Sequence, residues 1–191
     1  MTLVDVKETP IERITASGIK TSDAEYEFDI IIYATGFDAI TGAFDRIDIR
    51  GANGLSLKDK WTGGPKTYLG VMVEDFPNMM MLMGPHTALG NLPRSIEYNV
   101  EWVTGIVRHA RDHQLTRVAA TPTGVKSWTD HVHSLGVGLL SNEVNSWMTG
   151  INSNIDGKNV RIIARYSGSA PAYRARCDQV AAEGYRELAL A

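Results

Sequence analysis

The stretch Gly84-Pro-His-Thr-Ala-Leu-Gly-Asn-Leu-Pro-Arg-Ser-Ile-Glu97 carries the clearest chemical potential in this chain. It follows an apolar run, Met79 to Met83, and it ends in a helix-start signal at Pro93. The first amides of a helix have no intrahelical partner, and the helix dipole adds roughly half a positive charge there. A loop that delivers His86 to such a terminus can receive an anion or an electron-rich carbonyl. A plain strand-loop-helix connection has the same sequence shape. A second polar loop, Asn142 to Asn154, is glycine-punctuated, carries Trp147 and is followed by Gly157-Lys158. Loops of this texture close over ligands, with an indole that stacks through its face and donates through its N–H. A tryptophan pinning a loop to the core reads the same way.

Other chemistry is excluded or weakly supported. Nothing satisfies GxGxxG: Gly136 and Gly138 come nearest, with Ser141 where the third glycine belongs. No GxSxG and no Gly-Lys-Ser phosphate loop occurs. His131 and His133 are two apart, so a helix points them in different directions and they make a poor metal pair. The five-residue methionine and leucine run at 79–83 suits core filling rather than metal or haem ligation.

The totals describe a globular chain of 191 residues, 43% hydrophobic and 21% charged. A net charge of −3 gives no bulk attraction to nucleic acid or to an anionic membrane. The single cysteine, Cys177, excludes an internal disulfide and suits a reducing compartment. No apolar run approaches the ~20 residues that span a bilayer, and no signal peptide opens the chain, so a cytoplasmic location is expected.

These candidates need elements to position them. Leu3 to Val6, Ile11 to Ile14, Gly18-Ile19 and Tyr26 to Phe28 read as short strands of a meander. Asp29 to Ala34 is apolar on both faces, as a central parallel strand is, and ends in Thr35-Gly36-Phe37-Asp38, a sharp turn. Residues 41–66 read as a long connection packed by Phe44, Ile47, Leu55, Leu57 and Trp61. Tyr68 to Met72 and Met79 to Met83 are expected as strands, the second one buried. Ile96, Val100, Val103, Val107 and Ala110 fall on one stripe of a helix beginning near Pro93. A second helix is expected from about Val125 to Leu139, a strand over Val160 to Tyr166, and a last helix from Pro171 to Gly184.

An ordered set of motifs then narrows the class. Asp29-Ile-Ile-Ile-Tyr-Ala-Thr-Gly-Phe-Asp38 resembles the ATG strand of flavoproteins with two dinucleotide domains. Phe76-Pro-Asn78, Gly84-Pro85, Asn91 to Glu97, Val100-Glu-Trp102, Ser146 to Gly150, Gly157-Lys158, Tyr173-Arg174 and Glu183-Gly-Tyr185 follow in order. Together they resemble the C-terminal portion of the flavin-dependent Baeyer–Villiger monooxygenases, such as the cyclohexanone, phenylacetone and steroid enzymes.

The resemblance implies an α/β fold: residues 1–34 as the end of an NADP-binding domain with crossover strands, and 35–191 as the C-terminal part of the FAD-binding domain. Thr35 and Gly36 would lie in the hinge between them. Asn91 and Leu92 would meet the flavin, Leu92 through its backbone amide at the pyrimidine, and Trp147 and Lys158 would serve the NADP side. His86, Thr87, Ala88 and Leu89 would line the ketone pocket, in a loop of nearly the cyclohexanone enzyme's length. Residues 151–156 run about two residues longer than the family's usual stretch before Gly-Lys. The parent reaction uses FAD and NADPH to insert one oxygen atom beside a ketone carbonyl, giving an ester or lactone, with the cofactor carrying the chemistry. The flavin and NADP glycine motifs would come from a missing N-terminal half. The chain alone is then expected to bind neither cofactor, to be inactive, and to self-associate through exposed apolar surface. A non-catalytic assembly module, and a subunit completed in trans, remain as readings from other classes.

Overall fold

The computed structural model describes residues 1–36, 38–152, 155 and 157–191. They form two compact units, Met1–Gly36 and residues 37–191.

The first unit is a three-stranded antiparallel meander, β1 (Ile11–Ile14), β2 (Gly18–Thr21) and β3 (Glu25–Glu27). Thr21 closes the second turn, its hydroxyl donating to the Ala24 carbonyl at 3.1 Å. Two sequence expectations fail in this unit. Leu3 to Val6 forms no strand, and a turn follows over Val6 to Glu8, where the Asp5 carboxylate accepts the Lys7 N–H at 2.8 Å and curls the backbone. Asp29 to Ala34 forms no strand and joins no described sheet, and Ile30 and Ile32 are 78% and 84% exposed. A run apolar on both faces needs neighbours on both edges, and no described strand pairs with it.

The second unit opens with three short turns of helix: α1 (Gly42–Asp45), a 3-10 turn at Ala52–Gly54, and α2 (Leu57–Lys60). Phe44, Leu55, Leu57 and Trp61 pack with Val73, Phe76 and Met81 in a small core, while Ile47 is exposed. Tyr68 to Met72 is a tight reversal instead of a strand: Leu69 and Gly70 have positive φ, and the Tyr68 N–H donates to the Met72 carbonyl at 2.8 Å. Met79 to Met83 is likewise no buried strand. Only Met81 is buried, Leu82 is exposed, and Met83 has positive φ, its N–H donating to Asn99 Oδ1 at 3.2 Å.

The larger core gathers around α3 (Leu92–Asp112), α4 (Pro122–Gly136) and α6 (Ala170–Ala182). Each begins with a side-chain cap, Asn91, Thr121 and Ser169 respectively, followed within two residues by proline. The buried face of α3 is Ser95, Asn99, Trp102 and Ile106, one residue (about 100°) around the helix from the expected stripe. Ile96, Val100 and Val107 of that stripe stand exposed. Trp102 ties α3 to α6 by donating its indole N–H to the Cys177 carbonyl at 2.9 Å. Burial pushes the Cys177 thiol up to about 12, so it stays protonated as core.

α4 buries Val125, Trp128 and Val132, but it stops at Gly136 rather than at Leu139, since Gly138 takes a left-handed conformation. A short α5 (Leu140–Glu143) follows. Two three-residue strands with no clear sequence signal, β4 (Val118–Ala120) and β5 (Leu188–Leu190), pair antiparallel and bring the C-terminus onto the core. Residues 160–166 form no strand, contrary to expectation: bends fall at Val160 and Arg165. The segment is held by a parallel bridge between Ala88 and Tyr166 and by the N–H groups of His86, donating to the Ala164 carbonyl, and of Ile162, donating to the Thr149 carbonyl.

Candidate active site

The segment 158–166 runs between the two loops singled out by sequence. On one side it holds the loop ahead of α3. The His86 N–H donates to the Ala164 carbonyl at 2.9 Å, and His86 Nε2 lies 3.0 Å from the Ile163 carbonyl oxygen. A carbonyl only accepts, so Nε2 carries the proton and Nδ1, 3.3 Å from the Thr67 hydroxyl, does not. Burial lowers the imidazole pKa to about 4, against the favourable Ile163 contact, and the ring is neutral. Its ring sits edge-on to His133 at 6.0 Å, so α4 contributes to the same packing.

Three of the four residues expected at the ketone wall turn out to be buried. His86, Thr87 and Ala88 are all buried within this unit, and Thr87 donates to the Gly70 carbonyl at 3.3 Å. Their side chains are spent on fixing the loop. Leu89 alone of the four reaches the surface. Beyond it, Asn91 Oδ1 accepts the Arg94 N–H at 3.2 Å, and Leu92 stands half exposed on the first turn of α3. That turn is an open helix terminus flanked by apolar side chains, a fit for a planar, electron-rich ring carrying partial negative charge.

On its other side the segment holds the Trp147 loop. Trp147–Thr149 is a 3-10 turn closed between Ser146 and Thr149: the Ser146 N–H donates to Thr149 Oγ1 at 3.2 Å, and the Thr149 N–H donates to the Ser146 carbonyl at 3.0 Å. The Ile162 N–H donates to the Thr149 carbonyl at 2.9 Å. Gly150 has φ of 75°, and a Cβ there would come within 2.6 Å of Ile162; both facts require glycine.

Trp147 and Lys158 border a cavity of about 500 Å³ with Asp38, Asp45, Trp61 and Ile162. Lys158 is engaged there: Nζ lies 2.9 Å from both Asp45 Oδ2 and Thr41 Oγ1, and 3.3 Å from Asp38 Oδ1. Burial works against its charge, but the two carboxylates outweigh that and raise the pKa. Its ammonium is thus largely satisfied within the protein, which leaves little of it for a phosphate. Thr35 and Gly36 lie in the other unit, exposed, with Gly36 at φ of 89°. Of the longer stretch at 151–156, Ser153, Asn154 and Asp156 lie outside the described residues, as does Phe37. Sequence reasoning missed the arginines that complete this region. Arg161 and Arg165 look like ordinary surface residues, and only their spacing of four on the expected strand hinted at one shared side.

No family model matches the chain. Individual proteins do. The chain is 41% identical, over 99% of its length, to 2-oxo-Delta(3)-4,5,5-trimethylcyclopentenylacetyl-CoA monooxygenase of Pseudomonas putida, of which it covers 35%. It is 37% identical, over 98% of its length, to a Baeyer–Villiger monooxygenase of Pseudooceanicola batsensis, of which it covers 34%. The closed crystal structure of cyclohexanone monooxygenase superposes with a TM-score of 0.89 at 38% identity, over 98% of this chain and 35% of that one. Other matching crystal structures are complexes with FAD and NADP. The fold is therefore that of a part of an α/β flavoprotein monooxygenase. Within that class the chain is homologous, along nearly its whole length, to the Baeyer–Villiger monooxygenases. It spans about a third of the length of the curated relatives it matches, 35% for the first. No helix among the described residues is long and apolar enough to cross a membrane.

Proposed function

We propose that this chain works as part of an FAD- and NADPH-dependent Baeyer–Villiger monooxygenase that inserts one oxygen atom beside a ketone carbonyl. The observation that carries this reading is the open first turn of α3, half-exposed Leu92 and capping Asn91, in a chain that superposes on cyclohexanone monooxygenase. When bound, the flavin, reduced by NADPH, supplies the oxygen chemistry. This chain's residues do the positioning. The Leu92 amide, at the positive end of the α3 dipole, meets the electron-rich edge of the flavin pyrimidine. His86, neutral and buried, locks the loop that aims α3 and presents Leu89 as the chain's own contribution to the ketone wall. Trp147 faces the nicotinamide nucleotide from its half-exposed loop. Lys158 serves that loop by tying it to residues 38–45. Thr35 and Gly36 are assigned to the hinge, residues 1–34 to the NADP-domain side and 35–191 to the FAD-domain side.

The chain has no phosphate-binding glycine motif, so cofactor binding and turnover require polypeptide beyond these residues. The exposed stripe Leu92, Ile96, Val100 and Val107 is the surface on which that polypeptide packs. Without it, the same surface drives self-association. Joining the chain to the flavin- and NADP-binding segments of a relative tests the reading: flavin absorbance and NADPH-dependent ketone oxygenation are expected of the joined protein and of neither piece.

A further inference from the structure

We infer that Arg161 and Arg165 are positioning residues for Trp147. They lie four residues apart on the segment 158–166 and converge on the chain around the tryptophan. Arg161 Nη1 donates to the carbonyls of Asn142 and Val144, the latter at 3.1 Å, and Nη2 donates to Asn145 Oδ1. Arg165 Nη2 donates to Ser141 Oγ at 2.8 Å, and its Nη1 lies 3.7 Å from Met148 Sδ. Together the two guanidinium groups touch Ser141, Asn142, Val144, Asn145 and Met148, on both sides of Trp147. Three acceptors on one guanidinium use its planar fork, which an ammonium cannot reproduce.

Besides these contacts the loop is tied at its two ends, by the Asn142 side-chain amide donating to the Gly136 carbonyl at 2.7 Å and by Thr149, whose hydroxyl and carbonyl hold the turn itself. Val144 and Trp147 are half exposed, and of the turn's own residues only Thr149 is buried. Such a segment opens at low cost unless polar contacts tie it down. Trp61, Trp102 and Trp128 are by contrast at most 6% exposed, so Trp147, at 49%, is the one tryptophan that solvent reaches. The two arginines therefore set where this indole stands. The segment that carries them also fixes His86 through its carbonyls, so the two loops share one support. What Trp147 does there rests on the function proposed above; where it is held does not.

Acrylamide quenching of tryptophan fluorescence tests this on the chain itself, with Trp147→Phe subtracted to isolate the Trp147 signal. Releasing a half-exposed indole to full exposure predicts about a twofold rise in its quenching constant in an Arg161→Met, Arg165→Met double variant. Quenching of the three buried tryptophans stays at its original level. Arg161→Lys keeps the charge and must fail to restore the original value. Its hydrogen exchange provides a second readout: amides 141–150 exchange faster while those of α3 do not. Unchanged Trp147 quenching in the double variant, or unchanged exchange in Arg161→Lys, overturns the inference. The role of Trp147 is read separately, as the NADPH affinity of Trp147→Phe in protein joined to the cofactor-bearing segments. That affinity can be unaffected while the latch stands.

Discussion

His86 Nε2 stands 3.0 Å from the carbonyl oxygen of Ile163, and this bond joins the loop ahead of α3 to the segment that supports Trp147. The histidine is a buried, neutral strut. Its folded pKa of about 4 lies below the ordinary value of 6.5. The unfolded chain therefore takes up a proton first as pH falls, and stability drops from about pH 6.5 down to about pH 4. The full shift corresponds to about 3 kcal/mol. Urea unfolding at pH 7 and pH 5 should show this loss in the native chain, and His86→Gln should remove the His86 share of it while lowering stability at pH 7.

Gly150→Ala should destabilise the turn that carries Trp147. The substitution meets both a left-handed φ and the Ile162 side chain, a cost of about 1–3 kcal/mol. Thermal unfolding should show a lower midpoint, and hydrogen exchange should place the loosening at residues 146–162.

Asn91→Ala removes the cap of α3, whose Oδ1 accepts the Arg94 N–H. The expected cost is about 1 kcal/mol, read as a lower urea midpoint, and Asn91→Asp should largely restore it.

The exposed stripe of α3 predicts self-association of the chain on its own. Sedimentation should give species heavier than the 20.9 kDa monomer. Val100→Lys with Val107→Lys, both at exposed positions, should return the monomer with unchanged helix content. A strict monomer at high concentration for the native stripe would contradict this.

The capped helices were legible because their signals are local. Pro93 and Pro171 mark starts that the backbone takes, with Asn91 and Ser169 as caps, whereas α4 begins at Pro122 behind the Thr121 cap, three residues ahead of the expected Val125. Which face of α3 turns inward was not legible. Its buried face includes Ser95 and Asn99, polar residues there because Asn99 satisfies the Met83 N–H. The more apolar stripe beside them is left outward. Asp29 to Ala34 misled for a related reason: its composition is that of a central strand, yet no described strand lies beside it. His86 was found from its glycine loop, but its inward orientation depends on Thr67 and Ile163, 19 residues before it and 77 after. No local pattern encodes such contacts.

The most direct test of the account is a product measurement on the chain joined to the FAD- and NADP-binding segments of a cyclohexanone monooxygenase. Cyclohexanone, NADPH and oxygen are supplied, and lactone is quantified against NADPH consumed. The account predicts bound flavin and lactone from the joined protein, neither from this chain alone, and weakened flavin binding when Leu92→Pro removes the amide at the start of α3. Flavin binding and lactone formation by the isolated chain, or a folded, flavin-loaded joined protein that forms no lactone, would contradict it.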